Sequence, residues 1–445
     1  MTELDLLVRA QRVLTQNGES AGSVAVVDGR IAEIGPYDAD WRAAEVVELE
    51  PELALLPGLV DTHVHVNDPG RSEWEGFETA TRAAAAGGVT TIVDMPLNSL
   101  PPTVDVEALR IKRASARGRV HVDVGFWGGA VPGNTGELAG LHAEGVFGFK
   151  CFLLHSGVDE FPPLGGAELA DAMRVVRDLD SMMIVHAEDA GTIEHAPQPH
   201  GRGYGGFLRS RPQQAEMLAI EQVIALAEET GARTHVLHLS SADAIGVLAG
   251  ARASGLPLTV ETCPHYLSFL AEEVPDGATT FKCCPPIREA ENRERLWRGL
   301  ADGVIDCIVT DHSPCTPELK RLDSGDFGVA WGGIAGLQVG LPAVWTQARQ
   351  RGFGLGDVVR WMAQHTADLV GMRHKGRIAP GCDADLVAFA PDEAFLVDAR
   401  ALAHRNPVSA YDGRPLAGVV RRTWLRGREV TGGEPHGQLL RRGER

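Results

Sequence analysis

The 445 residues carry no excess of positive charge: 42 Lys and Arg against 60 Asp and Glu leave a formal charge of −18. That balance speaks against nucleic acid or an anionic membrane face as a partner. No apolar stretch is long enough to cross a bilayer, and the opening "MTELDLLVRA" lacks the basic and apolar regions of a signal peptide. The seven cysteines are odd in number, scattered and free of any C-x-x-C. They fit reduced thiols better than a disulfide framework or a zinc ribbon. No G-x-G-x-x-G follows a strand-like run, so nothing supports a dinucleotide site. Internal repeats and low-complexity tracts are missing too. What these absences leave is a globular chain, expected in the cytoplasm, with the length to bury a large core.

The chain changes texture twice. Residues 1–55 read as short strands, with "SVAVVDGRIAEIG" alternating around an Asp-Gly turn as a hairpin does. From residue 56, apolar runs such as "VTTIVDMP", "VFGFKCFLL", "MMIVHAED" and "THVLHLSS" alternate with helical stretches such as "PQQAEMLAIEQVIALAEETGA". At least seven strand-then-helix units predict a parallel β-barrel with helices outside, an α/β fold; an open doubly wound sheet is the competing architecture. From about residue 375, "GRIAPGCDADLVAFAP" and "GVVRRTWLRGREV" return to strands. The expected organisation is a barrel over 56–374 and a small composite β-domain built from 1–55 and 375–445. The tail "HGQLLRRGER" reads as a solvated end or an oligomer contact.

In a parallel barrel the C-terminal ends of the strands converge on one site. Those ends carry His63 and His65 in "DTHVHVN", His186 in "MIVHAED", His238 in "HVLHLSS" and Asp311 in "CIVTDHSP". On a strand, residues two apart share a face, so His63 and His65 project together. Any one of these residues alone reads as a packed histidine or a helix-capping aspartate. Together, each closing an apolar run, they read as metal ligands. Lys150, inside the otherwise apolar "FGFKCF", is the informative member. An ammonium about 4 Å from a dication would be repelled by roughly 8 kcal/mol at an effective dielectric near 20. Burial and nearby cations favour its neutral form, and a neutral amine can add carbon dioxide to become a carbamate. A carbamate has two oxygens and one negative charge, so it can bridge two metals. Two dications against carbamate, aspartate and hydroxide then total about +1.

The stretch "GLVDTHVHVNDPGRSEWEGFETATRAAAAGGVTTIVDMPLNSLPPT" resembles the cyclic amidohydrolases of the amidohydrolase superfamily, and their allantoin-hydrolysing branch in particular. The likeness continues through "GFKCFLLHSGVDEFPP", "ETCPHY", "KCCPPIRE", "VTDHSPCTPE", "WGGIAGLQ" and "KGRIAPGCDADLV", nearly the full chain. The resemblance implies a (β/α)8 TIM-type barrel, a flanking β-sandwich-like domain and a binuclear metal centre. In its terms His63, His65 and Asp311 hold one metal, His186 and His238 the other, and Lys150, as N6-carboxylysine, bridges them. Such ligands suit zinc first, with cobalt or manganese also acceptable. Water activated between two metals is a nucleophile at neutral pH. The expected reaction is its attack on a ring carbonyl of a hydantoin, with Asp311 passing the proton to the leaving nitrogen.

Dihydroorotases carry an arginine two residues after the His-x-His pair, where it grips a substrate carboxylate; here that position is Asn67. An amide cannot form the bidentate pair of a guanidinium, so an uncharged ring rich in amides, allantoin, is the expected substrate and allantoate the product. Plain hydantoins or dihydropyrimidines are the alternatives within this class. Cys284, Ser313 and Gly333 are further candidate substrate contacts. His155, Asp189, His265 and His312 are candidate groups around the ligands, and Cys151 is expected to face away from Lys150. Outside this class stand a one-metal deaminase, against which Lys150 argues, and a non-catalytic scaffold relative, against which the complete ligand set argues. A homotetramer is what the resemblance suggests.

Overall fold

A computed structural model describes residues 4–444. The Asp-Gly hairpin forms as expected. Strands Gly18–Val27 and Arg30–Gly35 pair antiparallel, with Val27 opposite Arg30. Asp28 and Gly29, at φ 50° and 74°, supply the two left-handed residues that a tight hairpin turn of this twist requires. Beside the hairpin, Leu4–Thr15 pairs with Ala54–Pro57, and Ala54–Pro57 pairs antiparallel with Leu386–Leu396. Pro415–Leu425 and Arg428–Glu429 extend the same sheet. Strands from both flanks of the chain therefore share one eight-stranded sheet. Its buried face carries Leu6, Val8, Val24, Val26, Leu55, Leu386 and Trp424.

Between the flanks the chain is mixed α/β with parallel sheets. Leu59–Val64, Val89–Asp94 and Asp123–Phe126 form one. Gly128–Gly129, Phe149–Phe152, Met182–His186, Arg233–Val236, Leu258–Thr262 and Cys307–Ile308 form the other. These strands are nearly all buried on both faces, which is why they read as continuous apolar runs. Two sets of backbone bonds join the sheets. At one seam Phe147 N–H donates to Phe126 O (3.0 Å). At the other edges His65 N–H donates to His312 O (2.8 Å), beside a parallel bridge between Val64 and His312.

Helices follow the strands and bury one face. Phe77–Ala86 turns Phe77, Ala80, Ala83 and Ala84 inward. Gln213–Thr230 covers the predicted "PQQAEMLAIEQVIALAEET" segment and stops at Gly231, whose φ of 71° is the left-handed cap expected of a terminal glycine. Among the described residues no helix is long and apolar enough to cross a membrane. The tail departs from expectation. Gly437–Leu440 is not a solvated end: it lies along Asp123–Phe126, with Val124 N–H donating to Gln438 O and Leu440 N–H donating to Val124 O, both 2.8 Å. An unpaired strand edge offers a row of donors and acceptors, and the tail satisfies them.

Candidate functional site

Five residues from four strand ends and one mid-strand lysine meet at the C-terminal side of the parallel strands. His63 lies near the end of Leu59–Val64 and His65 just beyond it; His186 closes Met182–His186; His238 and Asp311 follow Arg233–Val236 and Cys307–Ile308. Lys150 projects from Phe149–Phe152 while its neighbour Cys151 packs on the opposite face in the main apolar core, as the alternation of a strand demands. His63 Nε2 lies 3.2 Å from Asp311 Oδ1 and 3.3 Å from Lys150 Nζ, and His65 Nε2 lies 3.5 Å from the same Asp311 oxygen. The His63 and His238 rings are 5.3 Å apart and those of His186 and His238 are 4.6 Å apart. All six expected residues are buried and brought together. His238 and Asp311 take φ of 37° and 44°, left-handed values that are costly for such residues and that gather at functional sites.

Burial sets the electrostatics. It drives His63, His65 and His238 well below their ordinary values, so their rings are neutral and keep a free lone pair. His186 is lowered for the same reason, against the pull of Glu188. Burial also lowers Lys150 to about 8, with Asp311 and Glu261 opposing it, and lifts Asp311 to about 8. The donor set fits a metal centre. The donor atoms of His63, His65 and Asp311 all lie within 4.8 Å of one another. The buried Nδ1 atoms of His65 and His238 have no hydrogen-bond partner among the described residues, while His63 Nε2 and His65 Nε2 both face Asp311 Oδ1.

The cluster opens into a cavity of about 340 Å³ whose wall includes His65, Lys150, His186, His238 and Asp311. Of the expected substrate contacts, Cys284, Ser313 and Gly333 line it. Gly333 has φ 122°, and a Cβ there would come within 2.3 Å of the Ser313 carbonyl oxygen, so only glycine lets these two segments touch. Asn67 is not among the lining residues: it is buried, and its Nδ2 donates to Pro314 O at 3.3 Å. His155 lines the outer cavity; Asp189 caps helix Ala190–His195 by accepting from Thr192 N–H; the His312 ring is anchored by Glu75. His265 is buried within ligand distance of Cys263 and Asp311.

Several residues here were not singled out from the sequence. Phe152 stacks on the His186 ring at 4.5 Å. Glu188 takes a 2.8 Å bond to His186 Nε2 and a 2.5 Å bond from Arg211, which itself lines the cavity. Burial opposes the Glu188 charge, but Arg211 and His186 outweigh it and hold that carboxyl down at about 2. Glu261 bonds to His63 Nδ1 at 2.5 Å. Glu188 stands two residues from a candidate ligand, a local signal that could have found it. Glu261 stands 198 residues from His63, and only the fold joins them.

Residues 54–430 match the amidohydrolase family. An allantoinase of Streptomyces avermitilis is 57% identical over 446 residues, covering 99% of this chain and all of the relative. The allantoinase of Saccharomyces cerevisiae is 50% identical, covering 93% of this chain and 90% of its own. Among solved structures, the L-hydantoinase (dihydropyrimidinase) of Arthrobacter aurescens superimposes with a TM-score of 0.91 at 30% identity, covering 99% of this chain and 100% of the other.

Proposed function

The chain belongs to the amidohydrolase family, and on that footing we propose how its buried cluster opens a cyclic amide. The reaction is hydrolysis of the hydantoin ring of allantoin to allantoate, a step of purine breakdown, in keeping with allantoinase relatives 57% and 50% identical over nearly the whole chain. The single observation that carries the chemistry is Lys150: a lysine 1% exposed, lowered to about 8 by burial, with its nearest polar partner an imidazole at 3.3 Å. A neutral amine there can attack carbon dioxide, forming the N–C bond of a carbamate and releasing one proton. His63, His65 and Asp311 would hold one divalent cation, His186 and His238 a second, and the Lys150 carbamate both; zinc suits the set, as do cobalt and manganese. When bound, such cations supply Lewis acidity, making water nucleophilic at neutral pH and drawing electron density from a ring carbonyl.

The protein groups do the rest. Asp311 takes the proton from the attacking water and hands it to the ring nitrogen as the C–N bond breaks. Cys284, Ser313 and Gly333 line the wall against which the ring is held, and Asn67 Nδ2 donates to the backbone of Pro314, the residue after Ser313. The buried, strained positions of His238 and Asp311 keep the two ligand groups in register without rearrangement.

The two parallel sheets are read as one (β/α)8 barrel over 56–374, supported by the backbone bonds at both seams. The flanks 1–55 and 375–445 are read as the composite β-domain, supported by the pairing of Ala54–Pro57 with Leu386–Leu396, with Gly437–Leu440 reaching over to the barrel strand Asp123–Phe126. The protein acts as a cytoplasmic homotetramer; the free state of all seven cysteines fits that compartment. A screen of purified protein against allantoin, hydantoin, dihydrouracil and dihydroorotate, reading ring opening, tests the assignment. Allantoin should be opened fastest. Faster turnover of dihydrouracil or dihydroorotate, or release of ammonia in place of ring opening, would overturn it.

A further inference from the structure

We propose that Glu261 is a positioning residue for the metal centre: one buried carboxylate that fixes ligand groups from both halves of the cluster and supplies part of their counter-charge. The inference rests on the two-metal reading above. Glu261 lies on strand Leu258–Thr262, is 1% exposed, and touches three histidines. Its Oε1 is 2.5 Å from His63 Nδ1 and accepts from the backbone N–H of His238 at 3.2 Å. Its Oε2 is 3.0 Å from His235 Nε2, and His235 Nδ1 in turn lies 2.8 Å from Thr259 Oγ1.

These contacts fix geometry and proton positions. Since a carboxylate only accepts, His63 must carry its proton on Nδ1, which leaves the Nε2 lone pair facing Lys150 and Asp311. The same oxygen pins the backbone of His238 where its φ is 37°. One side chain thus orients a ligand assigned to the first metal and the turn that presents a ligand assigned to the second. Outer carboxylates of this kind also make the imidazole a stronger donor.

Charge points the same way. Among the described residues Glu261 makes no ion pair with a lysine or arginine; its side-chain partners are the rings of His63 and His235. A buried carboxylate without a cationic partner is costly. Two dications set against the Lys150 carbamate and Asp311 leave positive charge in surplus, and Glu261 is the acid placed to offset it.

The test is Glu261→Gln in the full-length protein, read by zinc affinity in a chelator competition and by the melting temperature of the metal-stripped form. The neutral isostere should bind zinc about 10- to 100-fold more weakly while the stripped form melts as the wild type does. Wild-type zinc affinity in Glu261→Gln would overturn the proposal, as would a lowered melting temperature with affinity unchanged. If Glu261→Gln does not fold, Glu261→Asp keeps the charge but withdraws it from His63: weakened zinc binding supports the proposal and wild-type binding overturns it. Wild-type protein that takes up no zinc would instead sink the two-metal reading.

Discussion

Two lysines of this protein are equally hidden, each 1% exposed, yet their surroundings are opposites. Lys375 sits among three aspartates, with Nζ 2.7 Å from Asp123, 2.9 Å from Asp383 and 2.8 Å from Asp385. Burial works against its charge, but the three carboxylates outweigh it and raise the lysine above its ordinary value. Lys150 has no carboxylate within ion-pair distance among the described residues; its neighbours are His63 and the face of Phe152. There burial wins and the amine falls to about 8. The difference teaches that burial alone does not make a lysine reactive. The number of acids around it decides whether it is a structural cation or a nucleophile.

The comparison breaks most sharply at Lys150→Ala. Removing the bridge should strip metal and lower turnover of allantoin by about a thousandfold or more, several kcal/mol of lost transition-state stabilisation. Short carboxylic acids should partly restore both metal content and rate, since they return the two missing oxygens. Retention of two metals with full turnover would show that the amine is not a bridge.

Lys375→Met should do the reverse. It leaves Asp123, Asp383 and Asp385 facing one another with Arg426 as the remaining partner of Asp123. Breaking a buried ionic group by removing one member costs about 3–5 kcal/mol, so denaturant melts should shift strongly while zinc content and rate per folded molecule stay put. Loss of metal in a stable variant would mean that the two sites are not separate. The pH dependences also oppose each other. A lysine raised by its partners stabilises the fold below its unfolded value near 10.4, and that contribution is lost only as pH climbs through the still higher folded value. Lys375 is therefore silent at pH 6–9. A lysine lowered to about 8 leaves the metal-free fold with fewer protons than the unfolded chain from about 8 to 10.4, so its share of stability rises with pH there. The neutral amine should also grow from about one-tenth at pH 7 to about nine-tenths at pH 9. Reconstitution of stripped protein with bicarbonate and zinc, its initial rate corrected for the dissolved carbon dioxide at each pH, should accelerate by about tenfold over that range. A flat corrected profile would argue that Lys150 is already neutral at pH 7.

Sequence made one of these lysines visible and hid the other. Lys150 stands out because a single charge interrupts "FGFKCF", and His186, His238 and Asp311 stand out as polar residues closing apolar runs. Such signals are local. Lys375 lies in a polar loop, and one of its acids is 252 residues away. Glu261, in the quoted "ETCPHY", is likewise joined to His63 only by adjacency of strands in space. Asn67 shows the converse limit: its offset from the His-x-His pair suggested a substrate contact, while the partner of its Nδ2, Pro314 O, lies 247 residues away and is visible only in the fold. The alternation of strand and helix was legible because apolar periodicity is a property of neighbours. The docking of Gly437–Leu440 along Asp123–Phe126 was not, since hydrogen-bond demand at an edge leaves no mark in the tail itself.

The finest test of the comparison is Arg426→Ala. Arg426 Nη1 lies 2.5 Å from Asp123 Oδ2, and Nη2 donates to His436 O at 2.9 Å. Its side chain is 22% exposed, so water can replace part of what is lost, and Lys375 still neutralises Asp123. The expected cost is about 1 kcal/mol, in the range of a partly solvated charged hydrogen bond, with no change in zinc content. Because Arg426 also holds the segment that enters the tail, limited proteolysis should cut near His436 sooner than in the wild type. A cost as large as that of Lys375→Met would mean that the aspartate cluster depends on both cations together, and that Lys375 alone does not set its charge.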